Sequence, residues 1–354
     1  MSNTNPYFGK RWELTITGPA TSENQTQTAY TMSSDLSKGP GQDAMRVRFD
    51  VQTIWGQTWY WVADIEIWNP DEQFTNFLLT NGNTASKTLP ASASNTVTGP
   101  AQQGLQVTLQ AGYQSPGQYG TIWAGYVLQP MFDRINQTDF VVTLHCVIGL
   151  NEETRNSIGQ WYPAAMSQQQ IVAQMAKDAY YPLAVGLIAP TLANKSLSYP
   201  KVMFGNVSKY FGEIARDNNM QSFLGPRGLF NMASLNYDFH TTPKYTFTPQ
   251  TGIVGTPQQT QGGVNCRLLL NPNVVVSNPP MAIKIDNTII QQLQRTVGVV
   301  PSAFSMLSQS GTYVVISARY IGDTRGTAWY TDVTGWLTAI DRAALAAGSY
   351  FNSP

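Results

Sequence analysis

Charged residues are scarce in this sequence. Asp, Glu, Lys and Arg make up 12% of its 354 residues, about half of the roughly 25% usual in a soluble domain. The 21 basic and 21 acidic residues cancel. Binding to phosphate draws on clustered Lys and Arg that release counterions, so a general nucleic-acid surface is disfavoured. Histidine is rarer still, present at His145 and His240 only. With no CxxC, HxxxH or HExxH spacing, no metal site is expected. The two cysteines, Cys146 and Cys266, lie far apart in strand-like runs, which suits buried thiols better than a disulfide framework. No apolar run reaches the about 18 residues of a membrane span, and MSNTNPYFGKRWEL lacks the apolar core of a signal peptide. The expectation is a chain that folds in a cytoplasm without membrane contact.

What the chain has instead is neutral polarity and aromatic weight. Hydrophobic residues are 42% and aromatics 11%. Gln, Asn, Ser and Thr crowd SENQTQT from Ser22, MSQQQ from Met166 and GTPQQTQGG from Gly255. Such side chains hydrogen-bond without the desolvation cost of a charge, so this surface can be buried again. A net charge of zero also gives copies of the chain little mutual repulsion, which is compatible with assembly.

The length fits two domains, or two plus an insertion. Residues 1–150 read as β. Short aromatic and β-branched runs recur between turn clusters: RWELTIT from Arg11, RVRFDVQTIW from Arg46, DIEIWN from Asp64, LQVTLQAGY from Leu105, GTIWAGYVLQ from Gly120 and DFVVTLHCVIG from Asp139. In MRVRFDV the apolar Met45, Val47, Phe49 and Val51 share one face and Arg46, Arg48 and Asp50 the other. Asn81 to Gln103 reads as a long exposed loop. Residues 151–243 read as a small mixed α/β insertion. Ile171, Met175 and Ala179 stand four apart in one helix, ended or kinked by Pro182. NVSKYFGEIARDNN is a second helix that Ser208 would cap, and Gly225-Pro226 turns a short extended pair. Residues 244–354 return to β with KYTFTP, GGVNCRLLLNP, NPPMAIKIDNTIIQQL, SGTYVVISARYIG and TAWYTDVTGWL. This pattern allows two barrels of similar size on one chain.

Residues suited to catalysis are few. Strand alternation puts His145 opposite Leu144 and Cys146, so it makes no thiol dyad with its neighbour and reads as structural. The glycines of GPGQDA and GYQSPGQYG precede no helix and no Lys-Ser or Lys-Thr, so they cradle no phosphate, and the second reads as a hairpin turn. Glu152 and Glu153, or Asp64 and Glu66, resemble a glycosidase pair only by proximity and read as solvated carboxylates. The aromatics Trp55, Trp59, Tyr60, Trp61, Trp161 and Tyr162 suit core or interface packing better than a sugar site. No catalytic residue and no cofactor site is assigned. In GDTRG, Asp323 and Arg325 are tightly spaced opposite charges between Gly322 and Gly326, able to pair with each other or with a neighbouring subunit and so suited to shaping a loop or to a subunit contact.

Four passages resemble the baseplate hub proteins of contractile-tailed bacteriophages, the family of the T-even hub, the gpD-like tail proteins and the base of type VI secretion spikes. WELTITG, RVRFDVQTIW and DIEIWNPDEQ are similar to the opening strands of that family, the last ending in an Asn and a short helical turn. LQVTLQAGYQSPGQYGTIWAGYVLQP with TDFVVTLHCVIGL resembles its AGY strand, Gly turn and following strands, with Trp123 where Phe is commoner. GIVGTPQQTQGGVNCRLLLNPNV and SGTYVVISARYIGDTRGTAWYTDVTG resemble its LLNP and Gly-Asp-x-Arg-Gly passages. Together they run from Trp12 to Gly335.

The resemblance implies two tail-tube-like β-barrel domains, 1–150 and 244–354, with the insertion outside the tube wall. It implies a homotrimer whose six barrels match a six-fold tail tube to a three-fold central spike and line part of a DNA-conducting channel. Partners would be a tail tube or distal ring protein, the spike, the tape measure protein and baseplate wedge proteins, in a virion assembled in the host cytoplasm. No lysozyme-like, spike or metal-binding extension is recognised, and no enzyme activity is implied. Asp323, Arg325, Tyr113 and Trp123 are the expected interface residues. Two other readings stand beside it: a carbohydrate-binding receptor or tail-fibre protein, and a cell-wall hydrolase of the virion.

Overall fold

The computed structural model describes residues 9–18, 29–34, 45–56, 61–82, 105–149, 156–225, 228–234, 242–260, 262–276, 280–292, 307–308 and 310–338. The expected loop beyond Gly82, the Glu152/Glu153 pair and the Ala-rich end fall outside them.

The first β segment holds β1 (Lys10–Thr17), β2 (Ala29–Ser33), β3 (Arg46–Ile54), β4 (Trp61–Trp68), β5 (Gln106–Tyr113), β6 (Tyr119–Arg134) and β7 (Phe140–Ile148). The alternation read in MRVRFDV is realised: Val47, Phe49 and Val51 are buried while Arg46, Arg48 and Asp50 face the other way. Between β4 and β5 a helix, α1 (Glu72–Gly82), starts where Asp71 Oδ1 accepts the Phe74 N–H at 2.7 Å. Phe74 and Leu78, one turn apart, are completely buried.

The insertion contains β8 (Ser157–Tyr162), α2 (Gln168–Asp178), β9 (Val185–Ile188), β10 (Lys201–Asn206), α3 (Val207–Asp217), β11 (Gln221–Leu224) and β12 (Phe230–Ala233). It has its own apolar cluster, in which Ile171, Val172 and Met175 of α2 meet Phe211 and Phe230. α2 opens on a capping box between Ser167 and Gln170 and stops at Asp178, before Pro182. The cap of α3 differs from expectation: Asn206 rather than Ser208 holds it, accepting the Ser208 N–H at 2.8 Å. Asn206 is the last residue of β10, so its extended backbone already has the cap geometry, whereas Ser208 is inside the helix. Replacing Asn206 with Ala is expected to cost about 1 kcal/mol, read as a lower urea midpoint, while Ser208→Ala costs clearly less. Phe223 anchors the insertion, its ring edge-on to Trp55 at 4.6 Å.

The last segment holds β13 (Pro243–Phe247), β14 (Ile253–Thr260), β15 (Gly263–Leu269), β16 (Ala282–Ile285), β17 (Thr312–Asp323) and β18 (Trp329–Leu337). Its strands lie in the order β14-β15-β18-β17-β16-β13, and those of the first segment in the order β3-β4-β7-β6-β5-β1. Taken in chain sequence the two orders are the same, with β2 added at the edge of the first. The long strand of each half even carries its irregularity at the same place against its neighbour, between Val127 and Gln129 of β6 and between Val315 and Ser317 of β17.

The halves are not separate sheets. The second part of β17, Ser317 to Asp323, pairs antiparallel with β3 from Ile54 to Arg48. One 13-stranded sheet results, and one apolar cluster runs from Trp12 through Val264 to Leu337. The fold is mainly β, as expected, with α-helices confined to α1 and the insertion among the described residues. No strand pairing among the described residues closes either half on itself.

Candidate functional site

The polar face of the sheet is where the scarce charges collect. Alternation turns them away from the core, and several meet a partner across a strand boundary. On the first half His145 Nδ1 is 2.6 Å from Asp64 Oδ1, and Arg48 reaches Glu66 at 3.1 Å. On the second, Arg267 forks onto Asp332 at 2.6 and 2.9 Å. Arg319 of β17 forks in the same way onto Asp50 of β3, bridging the joint between halves. Asp64 and Glu66, considered above as a glycosidase pair, are therefore engaged separately on the surface, Asp64 with His145 and Glu66 with Arg48. Such exposed pairs contribute only about 0–1 kcal/mol each. Their effect is to give a neutral, hydrophilic surface across both halves.

Where β17 ends, the charges are less exposed and more tightly held. Asp323 is buried and accepts from Arg46 Nε at 3.1 Å and Nη2 at 2.5 Å. Its Oδ1 also accepts the backbone N–H groups of Arg325 and Gly326 at 3.0 and 2.9 Å. Lys10 Nζ of β1 donates to the carbonyls of Asp323 and Gly326 at 3.0 and 2.6 Å, and lies over the Trp329 ring. Burial works against the charged carboxylate, yet the Arg46 bonds and the two backbone donors outweigh it and hold Asp323 below the usual carboxylate range. The GDTRG loop is thus shaped by its aspartate, and that aspartate ties β17 to β3.

Arg325 stands exposed at the tip of this turn. Tyr113 and Trp123 are only 6% and 2% exposed and belong to the apolar core of the chain. Of the aromatics singled out in the sequence, Trp55, Trp61 and Tyr162 are buried, the Tyr162 hydroxyl donating to Asp178 at 3.1 Å. Trp161 is 60% exposed on the two-stranded ribbon of β8 and β10, where Phe204, 83% exposed, lies across Gly159. Trp59 and Tyr60 lie outside the described residues.

No group of three or more His, Cys, Asp or Glu side chains able to hold a metal occurs among the described residues. Both cysteines are buried free thiols. Burial, with Asp332 nearby, pushes Cys266 up to about 12, and burial with Asp64 nearby pushes Cys146 up as well. Neither thiol is therefore expected to react with iodoacetamide at pH 8 in the folded chain, and both react in denaturant. Intact-mass measurement of labelling distinguishes the two states.

The fold and this chemistry can be set against known proteins. No curated protein matches the sequence significantly. The tail protein from Neisseria meningitidis MC58 is similar in structure, with a TM-score of 0.52 at 10% identity, over 94% of this chain and 99% of that one. The prophage MuSo2 43 kDa tail protein from Shewanella oneidensis gives a TM-score of 0.51 at 8% identity, over 93% and 99% of the two chains. At such identities the likeness is one of fold. The profile of the family described as Baseplate hub gp41 matches residues 60–315, most of the chain. That span runs from β4 through the insertion to the start of β17. By this match the chain belongs to the baseplate hub gp41 family.

Proposed function

We propose that this chain is a non-enzymatic structural protein of the virion that acts as the hub at the tip of a phage tail. It assembles as a homotrimer. Its two like halves are tail-tube-type barrel units, so that three copies present six units toward the six-fold tube and three-fold symmetry toward the central spike. The single observation that supports this most is the repeat of one strand order in both halves, joined through β3 and β17. A chain with one such unit would have no reason to resolve six-fold into three-fold symmetry. The paired charges of the polar face suit a channel lining, since DNA slides past a neutral hydrophilic wall without the salt-dependent binding that clustered Lys and Arg would cause.

The partners in this role are a tail tube or distal ring protein on one side and the spike on the other. The tape measure protein lies in the channel and wedge proteins stand around the ring. Assembly takes place in the host cytoplasm, with no membrane contact before infection. Sedimentation or native mass measurement should give three copies, and a particle map should show the ring at the tail tip. A chain that remains a monomer in the assembled virion would overturn the proposal.

Arg325 has a separate part in it. Exposed at the loop that Asp323 shapes, it is placed to contact a neighbouring subunit. Replacing it with Ala is expected to reduce ring or baseplate assembly while the melting temperature of the free chain changes little, because exposed charges contribute about 0–1 kcal/mol. Unchanged assembly with full infectivity would mark the loop as an ordinary solvated turn.

A further inference from the structure

The joint between the halves uses one edge of β17 twice. Thr312 to Val314 pair with β16, and Ser317 to Asp323 then pair on the same side with β3. β6, the matching strand of the first half, is used only once. Its residues Tyr119 to Tyr126 pair with β5, and Val127 N–H donates to Leu105 O at 2.8 Å. From Leu128 to Asp133 its other side pairs with β7, and no strand among the described residues pairs with its outer edge. Where the matching part of β17 is largely buried, this stretch of β6 is exposed, with Leu128 at 57% and Met131 at 37%. No lysine protects it, although open edges with apolar side chains invite pairing. Meanwhile β14, the counterpart of β3, ends the sheet on the opposite side.

From this complementarity, which rests on the ring reading above, we infer that β6 of one copy pairs with β14 of the next, repeating between chains the β17–β3 joint found within one. The register follows residue by residue. In the first half Asp50 stands opposite Asp64, Asp64 opposite His145, and His145 opposite Gln129. In the second, Gln258 stands opposite Asn265, Asn265 opposite Thr334, and Thr334 opposite Ser317. Gln258 therefore corresponds to Asp50, and Gln129 to Ser317. Within the chain Arg319, Tyr320 and Ile321 pair with Gln52, Val51 and Asp50. Transferred between chains, Met131 pairs with Thr260, Phe132 with Gln259 and Asp133 with Gln258.

The faces agree with this register. Phe132, like Tyr320, points to the core side, and Gln259, like Val51, is buried. Met131 and Gln258 are exposed on the polar side, where the internal joint has Arg319 and Asp50. The external joint thus replaces the Arg319–Asp50 ion pair with a Met131–Thr260 contact and an Asp133–Gln258 contact in which the glutamine amide can donate to the carboxylate. Pro130 takes the place of Ala318 and removes one donor from the open edge, which discourages indiscriminate pairing of free chains. In the free chain Gln291 holds part of the β14 edge, accepting the Gln259 N–H at 2.9 Å and donating to Pro257 O at 2.8 Å. The incoming β6 takes over these two bonds.

Two cysteines test the register. Met131→Cys combined with Thr260→Cys should give covalent dimers and trimers on mild oxidation, at positions opposite each other across antiparallel strands. Each single variant should give far less, since Cys146 and Cys266 are buried. In a second variant, Met131→Lys should shift the sedimenting species from trimer to monomer and leave the thermal midpoint of the free chain unchanged. A trimer that forms without the 131–260 cross-link, or that withstands Met131→Lys, overturns the strand joint and leaves the ring reading intact. A chain that sediments as a monomer and is a monomer in tails overturns both. A cross-linked trimer dissolved by Met131→Lys establishes the joint.

Discussion

Replacing Gly322 with alanine is expected to destabilise the fold by about 1–3 kcal/mol, the usual cost of forcing a group into a packed core. Gly322 lies in β17 opposite Phe49 of β3. A methyl group built there would come within 2.1 Å of Phe49 Cζ and 2.4 Å of Cε1. The ring has little room to retreat, since its other side is edge-on to Trp329 at 5.4 Å and both aromatics are buried. Propensity alone gives the opposite sign, because glycine inside a strand is worse than alanine by roughly 0.5–1 kcal/mol. The steric term is larger, so the net effect is a loss. Urea unfolding of Gly322→Ala, Phe49→Leu and the double variant separates the two effects. With a smaller side chain at position 49, the cost of the alanine should shrink or vanish, making the double variant more stable than the sum of the singles implies. Strict additivity would mean that the Phe49 ring is not what Gly322 accommodates.

This contact also marks what the sequence made legible. Period-two alternation identified which residues of β3 and β7 face the core, and with it the separation of His145 from Cys146. Both are local properties of the chain. The partner of β3 is not local: Gly322 and Phe49 lie in different segments, and periodicity records which face is buried without recording the neighbour. Helix α1 begins where the resemblance implies a short helical turn after DIEIWN, but it runs to Gly82, beyond a single turn and into the start of the stretch read as loop. β14 runs through Gly255 and Pro257 with three polar residues after them, a composition poor in β-propensity, and it holds its place at the end of the sheet by pairing with β15 on one side and with Gln291 on the other. The arginine that meets Asp323 comes from Arg46, far away in sequence, while proximity favoured Arg325. Two β segments of similar size are legible as runs of short strands, but the correspondence between their strands is not, for the same reason. It resides in the order of strands, while the residues at equivalent places, such as Asp50 and Gln258, share polarity but not identity.

Asp323→Ala is expected to lower stability by about 2–3 kcal/mol, more than the loss of any other ionic contact described above. The carboxylate satisfies two guanidinium donors and two backbone N–H groups at once. Its removal leaves those amides and Arg46 to find water at a site that is largely closed. Arg46 is 38% exposed, which keeps the loss below that of a fully buried pair. Arg267→Ala, which breaks the exposed fork onto Asp332, serves as the comparison and should cost about 0–1 kcal/mol. The Asp323 contribution also depends on pH. Because the pKa of Asp323 is depressed in the folded state, its contribution is complete above the unfolded carboxylate value of about 3.9. It is lost as pH falls through the lower folded value. The gap in unfolding free energy between wild type and Asp323→Ala should therefore be constant from pH 7 to about 5 and narrow below about 4. A gap that stays constant to the acid limit would mean that the ionised carboxylate is not what holds this corner. Since the same corner fastens β17 to β3 and β1, acid that protonates Asp323 loosens the joint between the halves before it disturbs the apolar core on either side.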